Sequence, residues 1–100
     1  MFPGLTTKIS EESVALSTVT TIRRDLVHIT GTTDTTVVAT IKDQFGGGFS
    51  GIAILLNRSG NNITTVTTGN IAKAVTIPTN QTCLFAYSKL TGIWYPGAIS

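Results

Sequence analysis

The sequence predicts an all-β fold: an antiparallel β-sandwich or jelly-roll-like knob behind an extended N-terminal arm. Three observations predict it. Threonine makes up about a fifth of the chain, and β-branched residues suit a pleated, half-buried surface better than a helix. Apolar and polar residues alternate over short runs, the period-2 signature of strands. Gly, Asn and Pro punctuate the chain roughly every 8–12 residues, the spacing of a sandwich or barrel. There is no alternation of strands with helical patterns, no heptad and no internal repeat.

Taken in order, residues 1–25 read as an arm and residues 26–100 as the β domain. The arm opens on Phe2, Pro3, Gly4 and Leu5, a turn signal carrying apolar residues that need a partner surface. Residues 13–22 read as extended, because Val, Ile and Thr dominate them. Strands are then expected at 27–30, 36–41, 51–56, 63–67, 71–77, 82–87 and 92–95, with Pro96 and Gly97 stopping the last. Residues 57–62, which hold three asparagines and Gly60, form the strongest turn signal.

The central strand follows Gly46, Gly47 and Gly48 and runs Gly51-Ile52-Ala53-Ile54-Leu55-Leu56. Alternation groups Ile52, Ile54 and Leu56 on one face, expected to be the buried one, with Ala53 and Leu55 on the other. Since Leu55 is also apolar, the second face is expected to be covered by another sheet or another subunit.

Composition narrows the function classes. Charged residues make up 12% of the 100-residue chain, against roughly 25% in an average domain. A weakly charged, hydroxyl-coated surface protects poorly against association, which points to a subunit partly buried in an assembly. The net charge is +2, and only Arg23 and Arg24 are adjacent basic residues, so no basic stripe for nucleic acid is present. No run is long and apolar enough to cross a bilayer as a helix, and residues 1–20 lack the pattern of a secretory signal. Cys83 is alone and reads as a small buried hydrophobe.

The chemical motifs are weak. Gly46, Gly48 and Gly51 formally fit a dinucleotide fingerprint, but a β-branched strand follows where a helix is required. His28 is the only histidine and lacks the second ligand or acid–base partner that a metal or catalytic site needs. The carboxylates Glu11, Glu12, Asp25, Asp34 and Asp43 fall in arms and turns with no pair singled out. No catalytic residue, metal site or cofactor site is expected. The aromatics Phe85, Tyr87, Trp94 and Tyr95 cluster near the C-terminus. Phe85 and Trp94, with Ile54 and Leu55, are expected in the core or a trimer interface. Tyr87 and Tyr95 are candidates for surface recognition.

The order of the motifs carries a resemblance. Val27-His28-Ile29-Thr30-Gly31-Thr32-Thr33 is followed by Val38-Ala39-Thr40-Ile41, then by Gly51-Ile52-Ala53-Ile54-Leu55-Leu56. Thr68-Gly69-Asn70-Ile71-Ala72, Thr82-Cys83-Leu84-Phe85-Ala86-Tyr87 and Trp94-Tyr95 complete the run. Over residues 26–95 this resembles a small β module of tailed-bacteriophage virion structural proteins, found in fibres, spikes and head-decoration subunits. The resemblance implies a trimeric, non-enzymatic virion component. With no shaft ahead of the module, it points to a capsid decoration or cement subunit on the capsid surface, assembled in the host cytoplasm. Its partners would be its own copies and the major capsid protein, with Phe2, Pro3 and Leu5 of the arm in contact with the shell and neither nucleic acid nor membrane involved. The alternative is the receptor- or glycan-binding tip of a tail or neck fibre, with a host glycan as ligand.

Overall fold

The computed structural model describes residues 10–31, 37–43 and 50–100. The shell contacts expected at Phe2, Pro3 and Leu5, the turn with Asp34, and the glycine run with Phe45 and Phe49 lie outside the described residues. The described chain is all β, with no helix. Its strands are β1 (Glu11–Ala15), β2 (Val19–Ile22), β3 (Leu26–Thr30), β4 (Val37–Val38), β5 (Thr40–Asp43), β6 (Gly51–Asn57), β7 (Ile63–Thr65), β8 (Thr76–Ile77), β9 (Thr82–Ser88) and β10 (Ile93–Ile99).

These strands build three sheets, ordered β1-β3-β6-β9-β10, β2-β5 and β4-β7-β8. The expected antiparallel sandwich or jelly roll is corrected here. The pairs β1-β3, β3-β6, β2-β5 and β4-β7 are all parallel, and only β6-β9, β9-β10 and β7-β8 are antiparallel. Parallel neighbours need a crossover, and here each crossover is made of strands in the other sheets. The chain therefore winds as a short coil. One turn starts at Glu11, the next brings Leu26 beside it, and a third brings Ile54 beside Leu26. The antiparallel β9-β10 hairpin then closes the large sheet, with Gly92 at φ 69° supplying the left-handed residue of its turn.

The arm expected over residues 1–25 also differs in its described part. β1 lies in register with β3, and β2 in register with β5, so residues 11–22 are rungs of the coil. The threonine- and valine-rich composition that marked them as extended is what lets them pair. Glu12 helps to fix this first turn: its Oε2 accepts the backbone N–H groups of Arg23 and Arg24, where β2 gives way to β3.

The core lies between the sheets. Ile22, Val27, Ile29, Val38, Ile41, Leu55, Ile63, Ile77 and Phe85 are fully buried. Three expected strands change length for local reasons. The run 36–41 breaks at Ala39, because Ala39 N–H and Thr40 N–H both donate to Thr18 O and turn the chain between two sheets. The run 71–77 keeps only Thr76–Ile77 as strand. Thr65 Oγ1 donates to Lys73 O and accepts Val75 N–H, so a side chain replaces part of the ladder. The last strand continues to Ile99 through Pro96, with a register shift before Ile99. β10 is the outermost strand of its sheet, where a missing N–H is tolerated.

Two asparagines do the work of backbone. Asn70 stands where a third rung would lie on β5: Ile41 N–H donates to Asn70 Oδ1 (2.9 Å) and Asn70 Nδ2 donates to Ile41 O (2.7 Å). Gly69 permits that approach, since a Cβ there would sit 2.1 Å from Ala39 O. Asn57, at the end of β6, is wholly buried. Its Nδ2 donates to Asn61 O and Ile77 O, and its Oδ1 accepts Ser59 N–H and Ser59 Oγ–H. Its backbone N–H donates to Gln81 O, and its carbonyl accepts Asn80 N–H. Every hydrogen-bonding site of the amide is thereby used.

Two substitutions test these contacts by denaturant unfolding. Asn57→Ala strands several buried polar groups at once and is expected to cost on the order of 3 kcal/mol or more. Gly69→Ala forces Asn70 away from Ile41 and is expected to cost about 2 kcal/mol or more; an unchanged midpoint would show that the loop simply moves aside.

Candidate functional site

One feature that the core does not absorb is the outer face of the five-stranded sheet. The pairing places its residues in rows. Leu26 of β3 stands beside Ile54 of β6, which stands beside Leu84 of β9. Ile52 stands beside Ala86, and Ala86 beside Tyr95 of β10. His28, Leu56 and Thr82 form a third row. Ile52 is 57% exposed, Leu84 41% and Tyr95 43%, while Leu26, Ile54 and Leu56 are half-buried. At the β1 margin the first row ends on Glu11, the register partner of Leu26, and the third on Ser13, beside His28; His28 Nε2 lies 2.7 Å from Glu11 Oε1.

This arrangement inverts the expected faces of the central strand. Ala53, Leu55 and Asn57 point into the core, whereas Ile52, Ile54 and Leu56 point outward. The cause is the partner strand. Ala53 lies opposite Phe85, and the small alanine leaves the volume that the fully buried phenylalanine fills. At the far end the amide of Asn57 must reach Ile77 O inside the fold. With a side-chain period of 2, both conditions select the same phase.

The structure separates the other candidate residues. Leu55, Phe85 and Trp94 are buried core residues, and Ile54 lies on the outer face. Tyr87 and Trp94 are cross-strand partners with ring centroids 5.0 Å apart and planes tilted by 44°. Tyr87 is half-buried and packs against the core, while Tyr95 is exposed, with its hydroxyl donating to Thr91 Oγ1 (3.0 Å). Trp94 Nε1 is buried, with no hydrogen-bond partner among the described residues. Ile52 and Leu84 are outer-face residues that pattern reasoning did not single out for contact. The signal that could have found them is the Cys83/Phe85/Tyr87 alternation of β9, which fixes which way Leu84 and Ala86 point.

Among the described residues, no group of three or more His, Cys, Asp or Glu stands close enough to hold a metal ion. His28 meets one carboxylate at the sheet margin, and Glu12 is occupied by backbone donors. Burial pushes the Cys83 thiol above its ordinary pKa, which keeps it protonated and slow to react. Among the described residues, no helix is long and apolar enough to cross a membrane. No protein-family model, curated protein or solved structure matches the chain.

The inversion of faces is measurable. In dilute solution, where the chain is unassociated, Leu55→Ala is expected to cost about 2–5 kcal/mol by losing buried volume. Ile54→Ala is expected to cost about 1 kcal/mol, in keeping with partial exposure. Equal costs in urea unfolding would contradict the assignment of the two faces.

Proposed function

We propose that this chain is a structural subunit of a tailed-phage virion, a capsid decoration or cement protein that acts as a homotrimer on the head surface. The observation that carries the reading is the apolar outer face of the large sheet, held on a rigid scaffold within a weakly charged chain. Parallel strands are ordinarily covered on both faces. An uncovered apolar face in water favours association, because burying it releases structured hydration at little directional cost. The order of motifs over residues 26–95 supports the same class of protein.

In this reading the work of the protein is non-covalent and needs no cofactor. Association buries the sheet face, and Phe2, Pro3 and Leu5 supply apolar anchors to the major capsid protein. The coil itself contributes stiffness: β1, β3, β6, β9 and β10 are tied into one sheet, so load on one of them passes to its neighbours through backbone hydrogen bonds. In the fibre-tip alternative, the exposed phenol of Tyr95 beside Thr91 would face a glycan.

Purified protein mixed with undecorated capsid shells tests the reading. Saturable binding that raises the temperature at which the shells break is expected, and removal of residues 1–9 is expected to weaken binding by tenfold or more. Absence of shell binding, together with a positive signal on a glycan array that Tyr95→Ala abolishes, would replace the decoration reading with the fibre-tip one.

A further inference from the structure

We infer that residues 11–22 form a latched first turn of the coil, which opens as one piece while the rest of the fold stays closed, and that the Glu12 carboxylate is its latch. This device is separate from the head-surface reading and does not depend on it.

The turn has strand neighbours on one side only. β1 is the outermost strand of the large sheet and pairs with β3 alone, and β2 pairs with β5 alone. No residue of β1 is buried, and in the whole turn only Leu16, Thr20 and Ile22 are. β3, by contrast, pairs on both sides and buries Val27 and Ile29 completely. Opening the turn breaks two short ladders and the bonds from Ala39 N–H and Thr40 N–H to Thr18 O. It leaves β3, β6, β9 and β10 paired with one another, and β4 with β7 and β8. Segments with few buried apolar contacts and an open edge are the ones that unfold locally.

The two ends of the turn hold each other. Glu12, near its start, is half-buried, and its Oε2 accepts Arg23 N–H and Arg24 N–H (2.9 Å for Arg24), where the turn ends. Asp25, just past the end, reaches back: its Oδ2 accepts Ser10 N–H and Ser10 Oγ–H at 3.4 Å, ahead of β1. Leu26 N–H donates to Ser10 O beside them (3.0 Å). A hydrogen bond from a peptide N–H to a carboxylate is charge-assisted and stronger than one between neutral groups. Glu12 makes two, and so clamps the corner to the strand that begins the turn. Glu11 also bonds across, to His28 (2.7 Å), but it ties strand to strand and leaves the corner free to move.

The latch governs an edge. Once the turn lifts, the side of β3 that β1 covers and the side of β5 that β2 covers become free strand edges. Free edges are what strand addition uses, so Glu12 sets how seldom the molecule shows these two.

The corner supplies its own reporter. Arg23 and Arg24 are exposed, and trypsin cuts after arginine where the backbone has been released from its own hydrogen bonds, so the cutting rate follows the population of the open form. Native full-length chain treated with trypsin and followed by mass spectrometry is expected to be cut slowly after Arg23 and Arg24. Glu12→Ala is expected to speed that cut tenfold or more and to leave the rates after Lys73 and Lys89 unchanged. Amide hydrogen exchange of the wild type is expected to be at least tenfold faster at Leu16 and the β1 ladder than between β6 and β9. An equal corner rate in the wild type and Glu12→Ala overturns the latch. Exchange at β1 no faster than between β6 and β9 overturns the separable turn. Should Glu12→Ala lose its circular dichroism spectrum, Glu12→Gln decides: it keeps the length and an acceptor oxygen without the charge. A several-fold faster corner cut is then expected, and the wild-type rate would overturn the latch.

Discussion

The carboxamide of Asn57 is the constraint on which the rest of the structure depends. It is buried at the end of the longest parallel rung and bonded at all four of its hydrogen-bonding sites. Buried amides are costly unless satisfied, and this one is satisfied only if two separate pieces of chain converge. Those pieces are the turn at Ser59 and Asn61 and the end of β8 at Ile77, while the backbone N–H of the same residue binds the entry to β9 at Gln81. The asparagine thus fixes where the coil ends and where the antiparallel closing hairpin begins.

The same residue sets the phase of β6. With Asn57 inside, Leu55 and Ala53 follow it inward, Phe85 fills the room above Ala53, and the bulkier Ile52, Ile54 and Leu56 are left outside. A polar side chain in the core thereby places an apolar stripe on the surface. Specificity of the interior and stickiness of the exterior have one origin, since a strand cannot change one face without changing the other.

Much of the local structure was legible in the sequence. The all-β class, the positions of β3, β6, β7 and β9, and the hairpin over residues 88–92 follow from alternation and turn chemistry. Pairing was not legible. The turns of the coil start at Glu11, Leu26 and near Ile54, so their lengths are unequal and leave no repeat to detect. The face of β6 was not legible either, because every residue from Ile52 to Leu56 is apolar and the one polar residue, Asn57, lies on the side where polarity is least expected. Asn70 and Thr65 replace ladder bonds with side-chain bonds, and no strand propensity records that. The aromatic pair Tyr87 and Trp94 was visible as a cluster, but only the register with β9 shows that it packs against the core.

Asn70 has a consequence for polymerisation. A true rung on β5 would satisfy Ile41 and offer a fresh row of peptide groups to the next rung. The amide of Asn70 satisfies Ile41 on one side and is then spent, having no second edge to present. On the large sheet the bridge between Ile71 and Trp94 covers part of the outer edge of β10 in the same way. Bonds from a side chain at Ile41 and from a loop at Trp94 thus occupy peptide groups that an incoming strand would need, which disfavours edge-to-edge addition at β5 and over part of β10.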